Sequence, residues 1–182
     1  MRVAPAESKG QMAISNPKFN QGIRERNTGC DAGSVQGRQF SMLKGHMNHK
    51  LIDLPLRKDH RGNLGFAQDG DQIPFPVKRI FYIYNIPEGG SRAGHAHRQS
   101  HQFLIMLSGG CRMKIDDGTD RTEVSMSSPQ VALYTPPLIW LDIDAFSAGS
   151  VCLVLASDVY DERDYIREYA EFRRLTQPRG PS

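Results

Sequence analysis

The sequence predicts an all-β domain closed by one C-terminal helix. Three observations carry that expectation. Short β-branched and aromatic runs recur at roughly regular spacing from Leu51 onward, turn residues separate them, and a single amphipathic run follows the last of them. Residues 1 to about 46 differ from this texture: they are rich in Gly, Ser, Asn, Gln and Arg, with neither helical nor strand period, and read as a disordered tail. The expected divisions are 1–46 for that tail, 47–176 for the domain and 177–182 for a short C-terminal tail. Met42 and Met47, at the end of the polar stretch, are alternative starts.

The elements follow in order. Leu51-Ile52-Asp53-Leu54 opens a short strand, and Asp59-His60-Arg61-Gly62-Asn63 is a polar turn. Val77 to Tyr84 is β-branched and aromatic, hence a strand, and Pro87 to Ser91 turns the chain. Gln102 to Leu107 is a second strong strand. Cys111 to Ile115 alternates apolar and charged residues, as a half-buried strand does, and Asp116-Asp117-Gly118 is a hairpin turn. Val124 and Met126, Val131 to Tyr134, Ile139 to Ile143 and Val151 to Ala156 extend the meander, giving a sandwich or barrel. The helix is expected from Asp161 to about Leu175. Asp161 can cap it, Tyr165, Tyr169 and Phe172 fall on one face, and Arg173 and Arg174 suit its C-terminal dipole.

Bulk composition excludes several classes. The 182 residues carry 23 Lys and Arg against 20 Asp and Glu, a net charge of +3. No basic run is interleaved with aromatics, so no nucleic-acid partner is expected. A small anionic ligand such as a diphosphate fits the mild excess. The longest apolar runs are far too short to span a bilayer, and the N-terminus lacks the apolar core of a secretory leader. The three cysteines, Cys30, Cys111 and Cys152, are odd in number and form no CxxC pair, which reads as reduced thiols in a cytoplasmic protein.

Chemistry concentrates in Gly94-His95-Ala96-His97-Arg98-Gln99-Ser100-His101, which holds three of the chain's six histidines. Residues two apart on a strand share a face, so His95 and His97 should project together, with His101 entering from the next segment. Such imidazoles either ligate a transition metal or move protons near neutral pH. The bland alternative is a polar loop of solvated histidines. Arg92 could hold a phosphate or a ketone oxygen, or be a surface charge. Tyr82 and Tyr84 share a strand face and could be hydrogen-bonding acids or packing. Trp140 could stack on a base or sugar, or fill the core or rim. Arg61 is most simply a turn charge.

Lys78-Arg79-Ile80-Phe81-Tyr82-Ile83, Arg92 to Arg98, Asp116-Asp117-Gly118, Trp140 and the closing stretch Leu155 to Tyr169 occur in an order that resembles the nucleotide-sugar 3,4-ketoisomerases, the WxcM-like sugar cupins of surface-polysaccharide pathways. The resemblance spans about residues 51–175. It implies a double-stranded β-helix of the cupin or jelly-roll type, a homodimer, and conversion of dTDP-4-keto-6-deoxyglucose to a 3-keto-6-deoxyhexose without metal or other cofactor. It also implies proton transfer by His95 and His97, with Tyr82 as a catalytic partner and Arg92, Arg61 and Trp140 on the substrate. His95 is the preferred base, because burial beside the Arg92 cation favours its neutral form.

Two departures keep other readings open. The family usually has an acidic residue where this chain has His101, and a histidine where it has Leu141. A metal cupin using His95, His97 and His101 is one alternative, and a non-catalytic nucleotide-sugar binding module is the other. One consequence of the domain boundary is direct. A chain beginning at Met47 should express as soluble, folded protein with the oligomeric state of the full chain; insoluble truncated protein would contradict that boundary.

Overall fold

The computed structural model describes residues 49–177. The tail expected over 1–46 lies outside the described residues, as does nearly all of the C-terminal tail. Twelve strands and one α-helix make up the described part. The strands are β1 (Lys50–Asp53), β2 (Leu56–Asp59), β3 (Gly62–Gly65), β4 (Arg79–Tyr84), β5 (Arg92–His97), β6 (Gln102–Ser108), β7 (Cys111–Asp116), β8 (Arg121–Met126), β9 (Val131–Thr135), β10 (Trp140–Asp144), β11 (Val151–Ala156) and β12 (Tyr165–Ile166). The helix is α1 (Tyr169–Thr176). It is the only α-helix among the described residues, and it is neither long nor apolar enough to cross a membrane.

Two five-stranded antiparallel sheets, ordered β1-β9-β6-β11-β4 and β12-β5-β10-β7-β8, face each other as a jelly roll. Strand alternation explains why they stick. Leu104 and Met106 of β6, Leu133 of β9 and Cys152 and Val154 of β11 face Met113 and Ile115 of β7 and Leu141 and Ile143 of β10 in one buried cluster. The expected alternation of β7 holds: Cys111, Met113 and Ile115 are buried, while Arg112 and Lys114 turn outward and pair with Asp144. Cys111 and Cys152 are free thiols inside this core, and burial pushes them up to about 11 and about 12.

Both outer faces carry apolar side chains. On the first sheet, Leu54, Ile73 and Phe75 cover Phe103, Ile105 and Ala132. On the second, Ile166 and Phe172 cover Ala96 and Trp140, with Tyr169 alongside. The turn between β7 and β8 is tied to α1. Gly118 there has φ +90°, and a Cβ would lie 2.1 Å from Thr176 Oγ1, so only glycine fits. Asp116 Oδ2 accepts from the Tyr169 hydroxyl at 2.7 Å, and Arg173 donates to the Gly118 carbonyl.

The helix expected from Asp161 is corrected. Asp161 caps only a 3₁₀ turn, Glu162–Asp164, by accepting from the Arg163 amide. The chain then becomes β12, with Tyr165 opposite His97 and Ile166 opposite Ala96, before α1 begins. Pairing with an open sheet edge and burial of Ile166 outweigh helical propensity in this stretch. The aromatic spacing that suggested one helical face serves two places: Tyr165 stays with β5, while Tyr169 and Phe172 pack on Trp140.

Phe172 is fully buried and anchors the closing segment. Phe172→Ala should destabilise the fold by about 3–5 kcal/mol in urea unfolding, whereas the partly exposed Leu175→Ala should cost much less. Equal midpoints for the two variants would contradict this packing.

Candidate active site

Arg92 and His95 are three residues apart, so an unbroken strand would send them to opposite faces. A bulge corrects the parity. Leu141 pairs with His95 but Asp142 with Ala93, so Gly94 is the extra residue. Ala93 and Gly94 both adopt left-handed backbone, at φ +67° and +70°. For Ala93 that conformation costs about 1–3 kcal/mol, a strain that bulged strands concentrate at working sites. The result is that Arg92, Ala93 and His95 all line one cavity between the sheets. Phe81, Ile83, Leu104, Leu141, Ile143 and Val154 form its apolar wall, and Gln102 and Tyr165 complete it. Its volume is about 200 Å³, the space of roughly six or seven waters, which admits a sugar ring but not a nucleotide.

The two histidines are held differently. His97 is buried, with Nδ1 2.8 Å from Asp164 Oδ2 and Nε2 2.8 Å from the Gln102 amide nitrogen. Asp164 also accepts from the Gln99 amide at 2.7 Å. Burial opposes ionisation of Asp164, but hydrogen bonds from Ser100, His97 and Gln99 outweigh it and hold the carboxyl below its usual range. Burial lowers His97 despite the opposing pull of Asp164. His97 is therefore a neutral ring with both nitrogens engaged.

His95 packs edge-on to His97, ring centroids 5.0 Å apart, and lies 4.9 Å from Tyr165. Its Nδ1 is buried without a hydrogen-bond partner of good geometry among the described residues. Burial first, then His97, push its pKa down to about 4, with Arg167 adding to the effect and the Ala93 carbonyl and Asp142 opposing it. Of the two, only His97 has side-chain hydrogen bonds at both ring nitrogens.

Tyr165 sits among these rings, 4.5 Å from His97, with the Arg167 guanidinium 4.7 Å above its own ring. Arg167 also pairs with Glu162 at 2.7 Å. Arg79 lies 5.2 Å from the Phe81 ring and 5.6 Å from Tyr160. Arg167 acts on both histidines and Arg79 on His97, against the opposing carboxylates of Asp142 and Asp164, while Arg92 lines the same cavity as His95.

Of the residues singled out in the sequence, the structure brings together His95, His97 and Arg92. It does not bring the others. Tyr82 is 63% exposed on the outer face of β4, because its neighbours Phe81 and Ile83 take the inward positions. Trp140 points to the outer face of β10, against Tyr169 and Phe172, with Nε1 donating to Asp142. Arg61 rides on the exposed β2–β3 hairpin and pairs with Asp59. His101 turns away to Tyr134, at 2.8 Å, and to Phe75, so the three-histidine ligand set is not assembled. The sequence reading missed Tyr165, Gln102 and Asp164. Asp164 and Tyr165 were absorbed into a helix, and Gln102 into an apolar strand whose single polar inward residue was the available signal.

Known proteins match this architecture. Residues 47–177 match the family model "FdtA: WxcM-like, C-terminal". The chain is 41% identical over 128 residues to a TDP-4-oxo-6-deoxy-alpha-D-glucose-3,4-oxoisomerase from Aneurinibacillus thermoaerophilus, covering 70% of this chain and 92% of that protein. A 3,4-ketoisomerase from Helicobacter canadensis superposes with TM-score 0.70 at 37% identity, covering 72% of this chain and 98% of that one. The sugar 3,4-ketoisomerase QdtA from Thermoanaerobacterium thermosaccharolyticum, in complex with TDP, gives 0.69 at 35% identity, over 71% and 94% of the two chains. The strands, the His95–His97 pair and the closing segment therefore belong to a member of the WxcM-like family, the family of these sugar 3,4-ketoisomerases.

Proposed function

We propose that this protein moves a keto group between C4 and C3 of a dTDP-linked 4-keto-6-deoxyhexose, in deoxysugar synthesis for surface polysaccharide. The observation that carries the reading is His95, a neutral imidazole in a sugar-sized cavity beside Arg92. A C4 ketone acidifies the hydrogen on C3. His95 removes that proton, and the C3–H electron pair forms the C3–C4 double bond of an enediol. The imidazolium then returns the proton to C4 as the hydrogen on O3 passes to O4, leaving the carbonyl at C3 and a hydroxyl at C4. Arg92 is placed to stabilise negative charge on the enediolate oxygen. Arg79, Arg92 and Arg167 form a basic surround suited to the diphosphate, with the nucleoside outside the cavity.

The same reading includes a homodimer. Ile80, Tyr82 and Tyr84 of β4 and Leu107 of β6 are each at least half exposed on the outer face of the first sheet. A patch of this kind is a docking surface rather than a solvated one. The β2–β3 hairpin flanks it, since Leu56, Asn63 and Gly65 border a groove shared with Leu107, Leu153 and Leu155. Tyr82 then serves the subunit contact.

Two outcomes test this. His95→Asn should fold and bind dTDP yet lose on the order of 10²-fold or more of C3 deuterium exchange into dTDP-4-keto-6-deoxyglucose, followed by NMR; exchange at the wild-type rate removes His95 as the base. In light scattering at micromolar concentration the wild type should be a dimer and Ile80→Asp/Tyr82→Asp a monomer, whereas a monomeric wild type contradicts the docking face.

A further inference from the structure

Gln102 opens β6 and is 6% exposed, yet it lines the same cavity as His95. Which end of its amide faces the cavity follows from counting hydrogens along Asp164, His97 and Gln102. Asp164 Oδ2 faces His97 Nδ1 at 2.8 Å, and its Oδ1 accepts from the Gln99 amide. A carboxylate has no hydrogen to give, so Nδ1 must donate. A neutral ring protonated there carries its lone pair on Nε2. Nε2 must then accept, and the group facing it at 2.8 Å is the Gln102 NH₂. The amide oxygen, Oε1, is the end left over, without a hydrogen bond to any other described side chain.

Reversing the amide would set the Oε1 and Nε2 lone pairs against each other in a buried site, losing a hydrogen bond and leaving two unsatisfied acceptors. The polarity of Gln102 toward the cavity is therefore set from behind. An amide oxygen accepts from a hydroxyl, and it repels the oxygen of a ketone. The proposed reaction exchanges a hydroxyl and a ketone between adjacent ring carbons, so a fixed acceptor tells ring positions apart where a freely turning amide does not.

We infer that Gln102 is a specificity-determining residue: it presents an acceptor-only oxygen to the cavity and selects a hydroxyl at one carbon of the bound sugar, with Asp164 and His97 as positioning residues behind it. This rests on the ketoisomerase reading of the cavity.

Two measurements test it. Long-range ¹H–¹⁵N correlation spectra of the ligand-free protein at neutral pH should show His97 protonated on Nδ1, with Nε2 as the bare nitrogen. A proton on Nε2 instead reverses the amide and overturns the inference. Calorimetry with dTDP-glucose and its 2-deoxy, 3-deoxy and 4-deoxy analogues should then show the wild type losing roughly tenfold in affinity for one analogue, the usual worth of one hydrogen bond. Gln102→Ala should bind that analogue and dTDP-glucose alike. Asp164→Asn, which can offer an NH₂ to Nδ1 and free the tautomer, should reduce the discrimination while keeping Gln102 in place. Undiminished discrimination in both variants of an active protein overturns the inference alone. Wild-type protein that neither binds these sugars nor exchanges C3 overturns the ketoisomerase reading, and the inference with it.

Discussion

Pairing between the closing segment and β5 is the contact on which the site depends. Tyr165 and Ile166 add a two-residue strand beside His97 and Ala96, and the carboxylate of Asp164 then meets both the His97 ring and the loop that follows it. The Arg98 amide donates to the Asp164 carbonyl at 2.8 Å, closing the clasp from the other side. Ile166 and Phe172, both fully buried, supply the apolar part of the attachment. Without this segment, the edge of β5 is open, His97 has no partner on Nδ1, and Tyr165 leaves the cavity. A stretch remote in sequence from the histidines therefore holds one of them in place.

That division of labour follows from electrostatics as much as from geometry. His97 has two good hydrogen-bond partners, one of them ionised, and is used up in holding its neighbours. His95 has burial, a second imidazole and Arg167 against it, all of which disfavour a positive charge, and little in compensation. A base that stays unprotonated through the neutral range is the outcome. The Gly94 bulge adds Arg92 to the same cavity, which regular strand alternation forbids. Strain at Ala93 is thus tied to the bulge that brings the Arg92 cation and the His95 imidazole to one cavity.

The fold was legible because its signals are local. Alternation in Cys111 to Ile115, the Asp-Asp-Gly turn and the apolar runs of β6 and β11 each name an element without knowledge of the rest. The His95 and His97 pair was legible for the same reason, through the two-residue strand period. What failed depended on distant partners. Tyr165, Tyr169 and Phe172 have helical spacing, but an open strand edge at β5 claims the first of them. Tyr82 is one residue out of phase with the inward positions of β4, and nothing in VKRIFYIY says which set faces in. Trp140 is likewise set by the register of β10, and His101 lies beyond the turn that ends β5, where the strand period no longer applies. Gln102 and Asp164 gain their meaning only from the His97 ring between them.

The central claim is that His95 remains a neutral base because its surroundings reject a proton. Its pKa is lowered from the ordinary 6.5 to about 4, so the unprotonated form persists as pH falls and is lost only near that value. The rate of C3 deuterium exchange, measured with saturating dTDP-4-keto-6-deoxyglucose from pH 4 to 8, tests this most directly. The account predicts a rate that holds from neutral pH down to about 5 and declines only below it. An acid limb centred near 6.5, the value of a solvated histidine, would contradict it.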